Sequence, residues 1–229
     1  MRITRYQAIG FSCYGTLVDR EGGILEALRP LVAQAGLSTH PDWLLGSYHR
    51  LARELRQATP NASQTSLHLR IHQRLAQELQ QEADLDASVA FGNATSCWPV
   101  FEDAPGALQY LSKFYRLVLL ASPDDGDAAA VTARLPEVFA AVIPNRGGDL
   151  RLALDNTLEE LGLARGDLLP IRGSEPDDPW NPLVDFPLCT LRRDRSRPWN
   201  LSRQALDGTR CEYASLADLV HAHQTALRA

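Results

Sequence analysis

With 229 residues and 45% apolar side chains, the chain can bury one substantial core, or a core domain carrying a smaller insertion. Its formal charge of −5 excludes the basic face that a phosphate backbone requires, so no nucleic-acid partner is expected. No apolar run approaches the roughly 18 residues of a membrane helix, and "MRITRYQAIGF" lacks an apolar signal core and a cleavage site. A cytoplasmic protein with no membrane partner is expected. Cys13, Cys97, Cys189 and Cys211 form no CxxC pair and are read as reduced thiols, the last two as small hydrophobes inside strands.

In chain order, apolar runs predict strands at Ala8–Cys13, Leu117–Ala121, Ala141–Ile143, Leu168–Ile171 and Leu188–Leu191, with a weaker one at Arg210–Tyr213. Between the first two lie about a hundred residues with helical spacing. "GGILEALRPLVAQAG" closes on a glycine, "HPDWLLGSYHRLARELRQA" carries Pro41 in its first turn, and "SQTSLHLRIHQRLAQELQQEA" is amphipathic. The segment Ala90–Cys97 is less distinct, and "SLADLVHAHQTAL" predicts a last helix with Ser215 as N-cap. Strands alternating with helices argue for an α/β fold with a parallel sheet. A crossover needs only about a dozen residues, so the excess predicts an inserted helical lid over the strand ends.

"YQAIGFSCYGTLVD" followed by "GGILEALRPLV" resembles the haloacid dehalogenase (HAD) superfamily, nearest its 2-haloacid dehalogenase-like branch. "CWPVFEDAPGALQYL" stands where that branch re-enters its core, "YRLVLLASPDDG" at its second motif, and "DFPLCTLRR" at its last core strand. The resemblance implies a Rossmann-like core of residues 1–16 and 98–229, with a helical cap of residues 17–97 inserted after the first strand. It also implies a site at the carboxyl ends of the strands. Members use an aspartate on the first strand, a hydroxyl after the second, a lysine, and acids after the fourth.

Here Ser12 stands at the aspartate position, and Tyr14 matches the haloacid branch, where metal-dependent phosphatases carry a second aspartate. Ala121 falls at the hydroxyl position with Ser122 beside it, and Gly148 at the lysine, with Arg146 and Arg151 the nearest cations. In "IRGSEPDDPW" Gly173 replaces the first acid, followed by Ser174, while Asp177 or Asp178 stands for the second. A carboxylate is needed for the family's covalent intermediate, and lysine steadies the developing charge. Such losses commonly cost ~10²–10⁶ in rate. Dehalogenase and aspartyl-phosphatase turnover are therefore expected to be absent, with no metal or other cofactor needed. Arg50 and Arg53 are the candidates for a halide-cradling cap arginine.

The turn after Ser12 keeps Gly15, Thr16 and Leu17, and its N–H groups are expected to form an anion nest. A hydroxyl beside such a nest has the parts of an acyl-transfer site. On this reading Ser12 attacks an ester or thioester and Asp178 assists. Cys13, Tyr14, Gly15, Thr16, Ala121, Ser122 and Ser174 would then line a small-molecule or carrier-bound acyl substrate. Strand alternation sends Cys13 away from Ser12, and Thr16 is expected to fix the turn. The missing part is a base: His40, His49, His68 and His72 lie in the insertion, His221 and His223 on the last helix. His68 and His72, four apart, lack a third metal ligand and are expected on a solvated face. Asp124, Asp125 and Asp127 are read as caps of a helix start, and Trp98, Trp180 and Trp199 as packing. The favoured reading is a hydrolase with rebuilt, metal-free chemistry; the alternative is a catalytically inactive binding or scaffold protein, and a homodimer is compatible with either.

Overall fold

The computed structural model of the chain describes residues 3–36, 40–121, 125–144, 149–173, 180, 186–193 and 210–228, with the side chains of 125–128 and 210 left aside. Six parallel strands form one sheet: β1 (Ala8–Ser12), β2 (Arg116–Leu120), β3 (Phe139–Ile143), β4 (Leu168–Arg172), β5 (Leu188–Leu191) and β6 (Arg210–Tyr213). Their order is β3-β2-β1-β4-β5-β6, a doubly wound arrangement in which the strand order reverses at β1. The α/β expectation therefore holds, and each predicted strand lies within two residues of the observed one. Cys13 and Ala121 fall just beyond β1 and β2.

Contacts divide the chain into two compact units, Met1–Val18 with Val100–Ala229, and Asp19–Pro99. In the sheet unit β1 is buried at every position, as a central strand covered on both faces must be. Gly10 has a packing role there. A Cβ on it would lie 2.6 Å from Cζ2 of Trp180, an indole that is 1% exposed. The indole occupies the volume that a side chain at position 10 would take, so Trp180 is a packing residue, as expected.

Helices α5 (Ala104–Leu111), α6 (Asp125–Thr132), α7 (Leu150–Glu160) and α8 (Leu216–Leu227) complete this unit. Asp149 caps α7 by accepting from Leu152 N–H at 3.1 Å. Ser215 caps α8 as expected, accepting from Asp218 N–H at 3.0 Å. Asp103 adds a second tie, taking Arg193 at 2.9 Å on one carboxylate oxygen and Leu216 N–H at 2.9 Å on the other.

The second unit holds α1 (Arg20–Gln34), α2 (Pro41–Ala58), α3 (Gln64–Glu78) and α4 (Leu85–Gly92). Asp19, Ser63 and Asp84 cap α1, α3 and α4 through side-chain oxygens. Helix α3 stops five residues before the periodicity suggests. Gln80 turns to φ +57° and Gln81 N–H reaches back to Ala76 C=O at 2.9 Å, the six-to-one closure that ends helices in a left-handed residue. The core of this unit gathers Ile24 and Leu28, Tyr48 and Leu51, Ile71 and Leu75, Phe91 and Trp98, all buried. Gly23 lets α1 lie flat on Trp98, since a Cβ there would be 2.2 Å from the indole. Trp98, too, is a packing residue. Among the described residues no helix is long and apolar enough to cross a membrane.

Candidate functional site

Ser12 ends β1 at the carboxyl edge of the sheet, and it is fully buried. Its Oγ lies 2.6 Å from Thr16 Oγ1 and accepts from Gly173 N–H at 3.4 Å. Among the described residues these are its hydrogen-bond partners; no histidine or carboxylate is among them. Thr16, also fully buried, thus fixes the turn as the sequence suggests.

The turn itself is tight because Gly15 adopts φ +74°, a conformation that favours glycine. Three of the N–H groups expected to form an open nest are paired within the turn. Gly15 N–H donates to Val18 C=O at 2.9 Å, while Leu17 and Val18 both donate to Cys13 C=O, at 2.9 and 3.0 Å. Three donors of the turn are consumed by its own backbone. A five-residue turn that bridges Tyr14 to Val18 must satisfy its buried amides locally, which the spacing of Gly15 and Thr16 alone did not reveal.

Gly173, after β4, closes on the same turn. A Cβ there would stand 3.0 Å from the carbonyl oxygen of Gly15, closer than nearly all real contacts. Gly173 rests on the turn after β1, and a side chain at 173 would have to push that turn away. At the end of β2, Ala121 is 3% exposed and offers only a methyl group, its N–H donating to Ile143 C=O at 2.9 Å. Cys13 is buried and Tyr14 half-buried. Ser122, Asp124, Arg146, Gly148, Ser174, Asp177, Asp178 and Trp199 lie outside the described residues, as do the side chains of Asp125 and Asp127.

The chain aligns over nearly its full length with solved structures of one kind. A defluorinating L-2-haloacid dehalogenase superposes with TM-score 0.68 at 16% identity, covering 100% of this chain and 99% of that one. The L-2-haloacid dehalogenase of Xanthobacter autotrophicus with chloropropionic acid covalently bound gives 0.69 at 17%, covering 96% and 98%. This chain has the haloacid dehalogenase fold. A HAD-hydrolase of Bacillus subtilis bound to magnesium follows at 0.68 and 14%, covering 96% and 99%. No protein-family model matches the chain, and no curated protein matches it in sequence.

The histidines are this sequence's candidates for the missing base, and here the expectation of a solvated pair fails. His68 is 0% and His72 4% exposed. Helix α3 buries positions 67, 68, 71, 72, 75 and 76, a stripe wide enough to take both imidazoles inward with Leu67, Ile71 and Leu75. His68 sits between the rings of Tyr48, Phe91 and Trp98, with centroids 5.6–5.8 Å away. Arg56 donates to Gln64 Oε1 at 2.7 Å, which turns the Gln64 amide nitrogen toward His68 Nε2, also 2.7 Å away. The Tyr48 hydroxyl donates to the same nitrogen at 2.7 Å. The proton of His68 therefore sits on Nδ1, buried and without a partner among the described residues. Burial, reinforced by the charges of Arg20 and Arg56, pushes its pKa down to about 3.

Three other histidines are also committed within their own units. His72 pairs with Ser88, and His223 with the Tyr110 hydroxyl at 3.0 Å among the rings of Tyr110, Phe114 and Tyr115. His40 caps α2. Arg50, a candidate halide ligand, is exposed and held by both carboxylate oxygens of Glu78 at 2.7 and 2.8 Å. Among the described residues no group of three His, Cys, Asp or Glu side chains could hold a metal ion.

Proposed function

We propose that this chain carries the hydrolase fold of the haloacid dehalogenases without aspartyl chemistry and acts as a non-catalytic binding protein. The observation that carries this reading is the state of Ser12: fully buried, its hydroxyl held by Thr16 and by Gly173 N–H. A hydroxyl attacks only when a neighbouring group removes its proton, and neither partner is a base. Ser12 here locks the turn where a nucleophile would stand. The helical unit is the cap of this reading, and its ligand a small molecule.

Magnesium does not suit what is present. The ion seeks anionic oxygens in octahedral geometry, but the residues at the two family positions are a serine and a glycine, and a Cβ at 173 would already stand 3.0 Å from the Gly15 carbonyl oxygen. A metal-free protein follows.

A second reading is supported by one feature, the position of Ser12 at the carboxyl edge of the central strand with Gly173 N–H directed at its oxygen. That edge is where open α/β sheets take ligands. On this reading Ser12 is the nucleophile of an ester or thioester hydrolase acting on a small-molecule or carrier-bound acyl group, with Asp178 as base.

One comparison separates the two. Wild type and Ser12→Ala are incubated with p-nitrophenyl acetate, acetyl-coenzyme A, p-nitrophenyl phosphate and 2-chloropropionate. The binding reading expects no enzyme-dependent turnover in either, and a stability loss of about 1 kcal/mol in the variant from the missing hydrogen bond. Turnover of any substrate that disappears in Ser12→Ala overturns it, and turnover of an acyl substrate establishes the second reading.

A further inference from the structure

Within the helical unit lies a cavity of about 310 Å³, the volume of a small-molecule site and independent of the turn at Ser12. Its walls are mostly apolar, from Ala27 and Leu31 on α1 to Ala87 and Phe91 on α4, with Gln34 and Asp84 at their margin. One buried polar side chain, His72, enters this lining, and Glu82 stands at it with no lysine or arginine among the lining residues.

The hydrogen bonds around His72 settle which nitrogen can accept from a ligand. Ser88 Oγ donates its single proton to Asp84 C=O at 2.7 Å. It can therefore only accept from His72 Nδ1, 3.0 Å away. The imidazole carries its proton on Nδ1 and keeps the lone pair on Nε2. Burial lowers its pKa, so this neutral tautomer persists at physiological pH. The Asp84 carboxylate is engaged in capping, accepting from Asp86 and Ala87 N–H at 3.2 Å each. An apolar chamber with one oriented acceptor and an anionic side chain selects a donor head that carries positive charge.

We propose that this cavity binds a small organic ammonium ion: an apolar body against Leu31 and Phe91, and an N–H donating to His72 Nε2 with its charge balanced by Glu82. At roughly 30 Å³ per non-hydrogen atom, the share of one liquid water, the space suits about ten such atoms. Binding here does not depend on whether Ser12 is reactive.

Phenethylamine is the probe, titrated calorimetrically into the full chain. Saturable binding is expected, weakened about tenfold or more in His72→Asn, which keeps an amide N–H for Ser88 but has no Nε2 acceptor. Ala87→Leu, which fills the chamber and leaves the His72 side chain unsubstituted, is expected to weaken it similarly, and ethylbenzene, lacking the ammonium, to bind about tenfold less tightly than the amine. Circular dichroism of each variant establishes that it is folded, and the Ala87→Leu arm stands should His72→Asn fail to fold. No saturable binding up to about 10 mM, where affinity would fall below the few kcal/mol of a specific contact, overturns the proposal. So does equal affinity for wild type and the folded variants, or for the amine and the hydrocarbon.

Discussion

His68 makes the stability of the helical unit depend on pH in a way that can be calculated. In the unfolded chain its imidazole takes a proton near 6.5; in the folded unit burial delays this to about 3. Above pH 7.5 both states are neutral and the residue contributes no pH dependence. As pH falls through 6.5 the unfolded state binds a proton that the folded state refuses, so stability is lost continuously until pH 3. Integrating the linkage gives a loss of about 2 kcal/mol between pH 7 and pH 5, and about 4 kcal/mol by pH 3. The perturbation is His68→Phe, which fills the space between Tyr48, Phe91 and Trp98 with a ring that does not titrate. At pH 8 it is expected to cost about 1–3 kcal/mol, because the donors of Tyr48 and Gln64 lose their acceptor. At pH 5 most of that deficit is expected to vanish, since only the wild type bears the protonation term. Urea unfolding at pH 8, 7, 6 and 5, followed by far-ultraviolet circular dichroism, measures the difference. Stability curves that run parallel for the two proteins across this range would refute the reasoning.

Gly173→Asp is expected to cost about 1–3 kcal/mol, because the new Cβ meets the Gly15 backbone at 3.0 Å and not a yielding side chain. Thermal unfolding measures it, and the double variant with Ser12→Asp is expected to show no magnesium-dependent phosphatase activity against p-nitrophenyl phosphate. Gly10→Ala drives a methyl group to within 2.6 Å of Trp180. A loss of about 1–3 kcal/mol is expected, seen as a fall in Tm of about 2–4 °C per kcal/mol; an unchanged Tm would mean that Trp180 does not occupy that slot.

The sheet was legible because its central strands β1, β2 and β4 are short apolar runs buried on both faces, and "AIGFS" or "RLVLL" has no competing helical period. Helix α7 was less so: "LRLALDNTLEE" buries only Leu154 and Leu158, and its cap, Asp149, lies in a stretch where the resemblance directs attention to a missing lysine. Histidine has no fixed preference for inside or outside, so His68 and His72 were misplaced. The clue was their position one residue after Leu67 and Ile71, on the flank of the apolar stripe. At the site, Ser12 and Thr16 could be placed from sequence, but not the pairing of the Gly15, Leu17 and Val18 amides within the turn. That depends on the carbonyls of Cys13 and Val18, which any residue supplies.

The placement of β1 bears on how the chain is made. Ala8 pairs with Arg116 and with Leu168, both more than a hundred residues downstream, so the first strand synthesised has no neighbour when it leaves the ribosome. At about 5–20 residues per second, β2 follows after roughly 5–20 s and β4 later still. Throughout that interval the chain between them can fold, since α1 to α4 bury their apolar faces on one another. What waits is a five-residue apolar segment whose serine and glycine make it a poor template for pairing with copies of itself, tethered to a unit that is already compact.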